Sequence, residues 1–109
     1  MNLYIAINNG NGYGAGFGYL ACVKTADLTT VGKSKLTDPM SGNLAYLHDD
    51  GTASPTVGPD GSVYFGVLEN PFYSNHLRGY LRGFAAQLKS VKKNAAFGWD
   101  DTPSIVPAS

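Results

Sequence analysis

The sequence predicts an all-β fold, and three observations support that prediction. The 109 residues include 14 glycines and 6 prolines, distributed so that few stretches are long enough for a helix. Between them lie short runs of β-branched and aromatic residues bounded by Asn, Gly and Pro, a pattern typical of mostly buried strands. Several of these runs occur twice, about 60 residues apart, which indicates a repeated structural unit.

The charge balance and the cysteine content exclude several classes of protein. Eight Lys and Arg residues balance eight Asp and Glu residues, so there is no basic excess for a nucleic acid or an anionic membrane surface. A single cysteine, Cys22, excludes an internal disulfide framework and a multi-thiolate metal site. No apolar run is long enough for a membrane span, and no secretory signal is visible.

The repeat is carried by four separate patches of similar sequence. Their offsets are 60, 61 and 60 residues for the first three and about 50 for the last. Near-constant offsets across separate patches indicate a duplicated supersecondary unit. The matching pairs are residues 3–6 with 63–66, 18–20 with 79–81, 28–31 with 88–91, and 49–54 with 100–104.

One complete unit is predicted to form a four-stranded antiparallel meander. Its first hairpin turn is Gly-Pro-Asp-Gly at residues 58–61, where Pro presets φ and Gly permits a positive φ. The chain is then expected to begin at the second strand of one unit and to end just after the first strand of another. The predicted strands are residues 3–7, 18–24, 54–57, 63–68, 80–85, about 90–96, and 104–106.

A helix is the main alternative for the stretch after β-strand residues 80–85. Phe84, Leu88, Val91 and Ala95 fall at helical spacing, with no Gly or Pro between them. The equivalent stretch of the first copy, residues 21–36, is rich in Thr and Val and contains Gly32, which favours strands instead.

Residues 53–66 read Ala-Ser-Pro-Thr-Val-Gly-Pro-Asp-Gly-Ser-Val-Tyr-Phe-Gly. This segment resembles the first hairpin of a blade in the quinoprotein-like (PQQ-like) β-propeller repeat family. The resemblance implies four-stranded antiparallel blades arranged around a channel, about two per chain, starting and ending mid-blade. It places a partial blade at about 1–47, a complete blade at about 52–98 and the first strand of a next blade at about 102–107. Related propellers are generally bacterial and exported to the periplasm or beyond.

The quinone-dependent members of that family repeat the motif Ala-x-Asp-x-x-Thr-Gly-x-x-x-Trp, which locks neighbouring blades together. The corresponding stretches here, residues 21–26 and 83–88, lack its Asp, its Thr-Gly and the following Trp. Quinone binding is therefore not expected, and the resemblance carries over only the scaffold.

Candidate ligand-binding residues are expected on the face where the loop between the second and third strands meets the connection between blades. Propeller ligands usually bind on that face. The candidates are Asp49, Asp50, Thr52, Asn75, His76, Arg78, Trp99, Asp100, Asp101 and Thr102.

The chemistry of these candidates leaves two interpretations open. The paired aspartates offer the hard oxygen ligands that Ca²⁺ prefers, whereas short Asp and Thr side chains also satisfy backbone N–H groups at turns. Arg78 offers a forked donor array for an anionic group, and Trp99 either packs between blades or stacks on a sugar. We predict no cofactor, no catalytic residue and, at most, Ca²⁺ at the aspartates.

Two blades cannot close a ring, so the remaining blades must come from elsewhere. We expect a homo-oligomer, a trimer or tetramer in which residues 104–106 pair beside residues 3–7 of the next copy, or further blades of a parent protein. The predicted function is a non-enzymatic scaffold or ligand-binding module, a fragment or self-assembling unit of a bacterial propeller protein. The alternative is a fragment of a degenerate quinoprotein dehydrogenase or a hydrolase.

Overall fold

The described part of the chain folds into two antiparallel three-stranded sheets, so the all-β prediction is confirmed. The structure, a computed structural model, describes residues 1–10, 16–48 and 53–108. Sheet 1 contains β1 (Asn2–Asn8), β2 (Gly18–Lys24) and β3 (Thr30–Lys35), in that order. Sheet 2 contains β4 (Thr56–Val57), β5 (Val63–Val67) and β6 (Tyr80–Phe84), again in order.

The central strand pairs of the two sheets share one register. In sheet 1, Tyr4 on β1 lies opposite Cys22 on β2, and in sheet 2, Tyr64 on β5 lies opposite Gly83 on β6. These positions differ by the same 60 and 61 residues that separate the repeated sequence patches. The duplicated sequence therefore corresponds to a duplicated strand pairing.

The fourth strand predicted at residues 90–96 is reduced to two isolated bridges with β6. Leu81 bridges Ala95 and Phe84 bridges Val91. Between them the N–H of Lys92 donates to the carbonyl of Gly83, so this side of the ladder has one residue more than β6 can pair. Such a bulge interrupts the regular ladder.

The alternative helix over residues 84–97 is wrong. That stretch contains only a 3₁₀ turn, Ala86–Leu88, entered from an extended Ala85. Residues 104–106, predicted to be a strand, pair with no strand among the described residues.

The segment 44–47 connects the two sheets through single antiparallel bridges. Leu47 bridges Gly16 at the end of sheet 1, and Tyr46 bridges Leu68, just after β5. Because neighbouring residues of one segment pair with different sheets, this segment fixes how the ends of the sheets lie beside each other.

The core lies between one face of each sheet, and we call these the inner faces. Buried side chains from both faces form one cluster, and removal of this apolar surface from water is the main stabilising contribution. The inner face of sheet 1 carries Tyr4, Ala6, Leu20, Cys22, Gly32 and Ser34, and that of sheet 2 carries Val63, Phe65, Val67, Tyr80, Arg82 and Phe84.

A close backbone contact joins the inner face of sheet 1 to the 3₁₀ turn. The N–H of Gln87 donates to the Tyr4 hydroxyl at 3.0 Å. A Cβ added to Gly32 would lie 2.0 Å from the Gln87 carbonyl oxygen, so only glycine allows this approach. Within the described residues, no helix is long and apolar enough to cross a membrane.

Candidate ligand-binding cleft

A cleft of about 230 Å³ opens where the ends of β1 and β5 meet the inter-sheet connection. Residues from both sheets and from the segments that follow them line it, so the cleft forms only when the two sheets are packed together. Its lining consists of Ala6, Asn8, Leu47, His48, Ala53, Phe65, Gly66, Trp99 and Asp100.

Trp99 reaches the cleft because its backbone lies close against β5. A Cβ on Gly66 would lie 2.0 Å from the carbonyl oxygen of Gly98, so the absence of a side chain at Gly66 allows this approach. The N–H of Trp99 donates to the carbonyl of Arg78 at 3.2 Å. Its ring lies 5.6 Å from that of His48, with the two planes inclined by 48°.

A second hollow, of about 300 Å³, shares His48 and Trp99 with the cleft. Its other lining residues are apolar or aromatic: Leu68, Phe72, Tyr73 and Leu77. The two hollows therefore meet at the His48–Trp99 ring pair. The cleft on one side of this pair contains polar side chains, and the second hollow on the other side is lined by apolar and aromatic ones.

Three stacked rings support the wall of the second hollow. Tyr46 lies between Phe17, at 5.2 Å, and Phe72, at 4.3 Å between ring centroids. Such ring pairs add stabilisation beyond the area they bury. The stack joins the loop after β1, the inter-sheet segment and the loop after β5.

The loop 70–79 is organised around the carboxylate of Glu69, which is fully buried. Glu69 accepts hydrogen bonds from the backbone N–H groups of Asn75, Leu77 and Gly79, the last two at 3.0 Å. A buried charge needs such donors to offset its lost hydration. The loop that carries three of the predicted site residues is therefore held from inside.

A second buried carboxylate, that of Asp38, holds the start of the same loop. It accepts hydrogen bonds from the N–H groups of Met40, Ser41 and Asn70 at 2.7, 3.1 and 2.9 Å. Burial of Tyr80 raises the pKa of its hydroxyl, and the nearby carboxylates of Asp38 and Glu69 raise it further. Tyr80 therefore remains a neutral packing group beneath the loop.

Two of the predicted site residues, Asn75 and Arg78, lie together and make hydrogen bonds within the loop and to Ala96. The Asn75 amide nitrogen donates to the carbonyls of Gly79 and Ala96 at 2.7 and 3.0 Å. Its side-chain oxygen accepts from Arg78 Nη2 at 3.0 Å. These contacts give Asn75 a structural role, while His76 beside it is exposed and has a positive φ of 56°.

The other predicted residues divide between the cleft, the neighbouring surface and the part that is not described. Trp99 and Asp100 line the cleft, whereas Asp101 is exposed. The Thr102 hydroxyl accepts a hydrogen bond from the N–H of Ser54, a residue far from it in the sequence, at 2.9 Å. Asp49, Asp50 and Thr52 lie outside the described residues.

Two polar residues of the cleft, Asn8 and His48, were not among the predicted site residues, although the loop that begins at Asn8 was expected on the ligand-binding face. Asn8 is the last residue of β1, and His48 directly precedes the aspartate pair at residues 49–50, which was the one available signal. Glu69 also had a signal, since it continues the apolar run of β5 and Leu68 with a charge. Among residues 1–10, 16–48 and 53–108, no three His, Cys, Asp or Glu side chains form a group suited to a metal ion.

Comparison with protein-family models, with curated proteins and with solved structures found no match.

Proposed function

We propose that the chain is a non-enzymatic ligand-binding module built from propeller-type blades, and that its ligand binds in the cleft beside Trp99. The observation that carries this proposal is the position of the cleft. It lies where two sheets of equal register meet, on the side of the loop that joins the second and third strands of the unit. Ligand sites commonly form in such clefts between packed units.

The lining favours a small polar molecule that has one apolar face, and a neutral sugar is the simplest member of that class. Trp99 and His48 offer ring surfaces, on which the C–H face of a sugar ring can stack. Asp100 lies in the same lining and bears a carboxylate, a group that recognises hydroxyls. The Asn8 amide accepts from the N–H of Gly10 at 3.0 Å and donates to the carbonyl of Leu47 at 3.4 Å, so it fixes the wall of the cleft. Leu47, Ala53 and Phe65 supply the apolar remainder.

The sole tryptophan makes the proposal testable by fluorescence, because all tryptophan emission comes from the cleft. Maltose, cellobiose and xylobiose serve as probes. We expect at least one of them to change Trp99 emission saturably, and His48→Ala to weaken that binding at least tenfold. Phe97→Ala, which removes an exposed aromatic ring that does not line the cleft, is the matched control and should bind normally.

Two results would contradict the proposal. One is an emission that stays unchanged through all three titrations. The other is an equal loss of affinity in His48→Ala and Phe97→Ala, since the signal would then not report the cleft.

A further inference from the structure

We propose that the outer faces of the two sheets, the faces turned away from the core, pack against each other between copies of this chain in a head-to-tail arrangement. The inference rests on the equal register of the sheets and does not depend on what the cleft binds.

The outer face of sheet 1 is equivalent to a face that is buried in sheet 2. Applying the 60-residue offset, Leu3, Ile5 and Ile7 on β1 correspond to Val63, Phe65 and Val67 on β5. The latter three are at most 2% exposed, whereas Leu3, Ile5 and Ile7 are 46, 38 and 38% exposed. A row of apolar residues whose counterparts form the core is a surface suited to a partner.

The outer face of sheet 2 has the complementary relation. Its Tyr64 and Leu81 correspond to Tyr4 and Leu20 on the inner face of sheet 1. Leu20 is completely buried against sheet 2. Tyr64 and Leu81 keep part of their surface exposed, while Gly98 of the same chain lies beside Leu81 and covers Gly66. Within the chain, the inner face of sheet 2, which is equivalent to the outer face of sheet 1, packs against the inner face of sheet 1, which is equivalent to the outer face of sheet 2. The same pairing can therefore repeat between copies.

One position differs between the two faces, and the difference involves charge. In sheet 1, a Cβ added to Gly32 would lie 3.6 Å from the Cβ of Cys22. Gly83 is equivalent to Cys22, and a Cβ added to Gly83 would lie 3.5 Å from the Cβ of Lys92. Lys92 thus replaces Gly32, and with Lys93 and Tyr64 it lines an open hollow of about 410 Å³ on the outer face of sheet 2.

The residue that would face these lysines from a second copy is acidic. Within the chain, Gln87 in the 3₁₀ turn contacts Gly32. Its equivalent at an offset of 60 residues is Asp27, and the next residues, Leu28 and Leu88, have matching φ values of 60° and 59°. Asp27 is exposed. Because Lys92 Nζ already donates to Ser62 Oγ at 2.7 Å and lies 3.4 Å from Asp60, a contact between Asp27 and Lys93 of the neighbouring copy would replace the close Gly–Gln contact within the chain.

The edge of β1 that does not pair with β2 can pair with a strand from another copy, as β5 pairs with β4. In sheet 2, β4 pairs with β5 through Thr56 opposite Tyr64 and Val57 opposite Val63. The equivalent positions on β1 are Tyr4 and Leu3, and no described strand pairs with that edge. Residues 104–106 follow the patch 100–104 that repeats residues 49–54, as β4 follows the first copy of that patch, so residues 104–106 of the next copy are the expected occupant.

A head-to-tail interface joins two different surfaces, so each copy can bind one neighbour on each side and a ring results if the rotation closes. We expect sedimentation velocity of the full chain to show an oligomer with at least three copies. Ile5→Arg should reduce it to single chains, because it buries a charge in the outer face of sheet 1. Met40→Arg, at a residue that is 80% exposed and lies on neither face, is the matched control and should leave the oligomer intact.

A mixing experiment distinguishes this interface from a symmetric dimer. Ile5→Arg damages the outer face of sheet 1 and Tyr64→Arg damages that of sheet 2. Each variant alone should be monomeric, but an equal mixture should form a two-chain species through the one interface that both leave intact. Circular dichroism establishes that each variant is folded, and Lys93→Glu replaces Tyr64→Arg if the latter does not fold.

The charge pair gives an independent readout. Asp27→Lys and Lys93→Asp should each weaken the assembly at least tenfold, and the double variant should recover most of that loss. A wild-type chain that stays monomeric would overturn the inference. So would an assembly that survives both Tyr64→Arg and Lys93→Glu, because the outer faces of sheet 1 would then be packing against each other.

Discussion

At the scale of single residues, Asp60 shows how a turn stabilises one charge. It lies in the hairpin turn between β4 and β5, where its carboxylate accepts the N–H and the hydroxyl of Ser62, both at 2.9 Å. Lys92 Nζ lies 3.4 Å away. The pKa of Asp60 is lowered to about 2, first by the backbone N–H of Ser62, second by the Ser62 hydroxyl, and then by the hydrogen bond and the charge of Lys92.

We expect Ser62→Ala to raise the pKa of Asp60 more than Lys92→Ala does, because it removes the hydroxyl that donates to Asp60 and also the atom to which Lys92 Nζ donates at 2.7 Å. The folded pKa lies below the ordinary value of 3.8, so this contribution to stability is complete above pH 3.8 and disappears as the pH falls towards about 2. Carboxyl NMR titrations of the two variants check this order, and a larger effect of Lys92→Ala would contradict it.

Arg82 is a charged residue in a buried position that offers its guanidinium few hydrogen-bond acceptors. It is only 5% exposed on the inner face of sheet 2, and its Nη2 donates to the Thr37 hydroxyl at 3.3 Å. Its Nε and Nη1 are buried and make no hydrogen bond to any residue that the structure describes. Burial lowers the pKa of the guanidinium, and Asp38 partly opposes that effect. The equivalent residue of sheet 1 is Ala21, so the repeated unit does not require this charge.

At the scale of elements, the loop 70–79 depends on one side chain. Glu69→Gln puts an NH₂ group where a carboxylate oxygen now accepts backbone N–H groups from residues 75, 77 and 79. Leaving such buried donors without a partner costs about 1–3 kcal/mol. We expect Glu69→Gln to lower the free energy of unfolding in urea by about 2 kcal/mol.

The control for this variant is Asp101→Asn, which makes the same change of charge at an exposed carboxylate. It should unfold as the wild type does. Equal stability of Glu69→Gln and the wild type would show that the carboxylate does not hold the loop.

The sequence was sufficient to predict the strands that carry their own signals. The run 63–68 and the run 80–85 each match a strand to within one residue, β5 and β6, because β-branched and aromatic residues there are bounded by turn residues. The fourth strand was not predictable in detail. Its pairing is interrupted near Lys92, and where a ladder is interrupted depends on the packing of the neighbouring strand.

The same distinction applies to the candidate site. Trp99 and Asp100 were predicted because they follow a repeated unit along the chain, and both line the cleft. The presence of Asn8 and His48 in that cleft depends on segment 44–47 pairing with both sheets. Contacts between residues so far apart in sequence leave no local pattern from which to predict them.

At the scale of the whole molecule, stability depends on how closely the two sheets approach. The Gln87 carbonyl lies where a side chain on Gly32 would have to be. Gly32→Ala therefore separates the sheets or distorts β3, and overpacking of this kind costs about 1–3 kcal/mol. We expect a fall of this size in the free energy of unfolding, measured in urea.

Ser34→Ala is the matched control for Gly32→Ala, because it lies on the same strand and the same face. It should change stability far less. If the two variants unfold alike, the close approach at Gly32 contributes nothing to the packing of the sheets.

The bond from Gln87 to the Tyr4 hydroxyl also makes one amide a natural reporter. Its donor is on the side of sheet 2 and its acceptor is on sheet 1, so deuterium can replace that proton when the two halves separate, even if each keeps its own ladder. Amides within β2 or β6, by contrast, are protected until the ladder itself opens. Comparing their exchange rates would therefore reveal whether the halves come apart before they unfold.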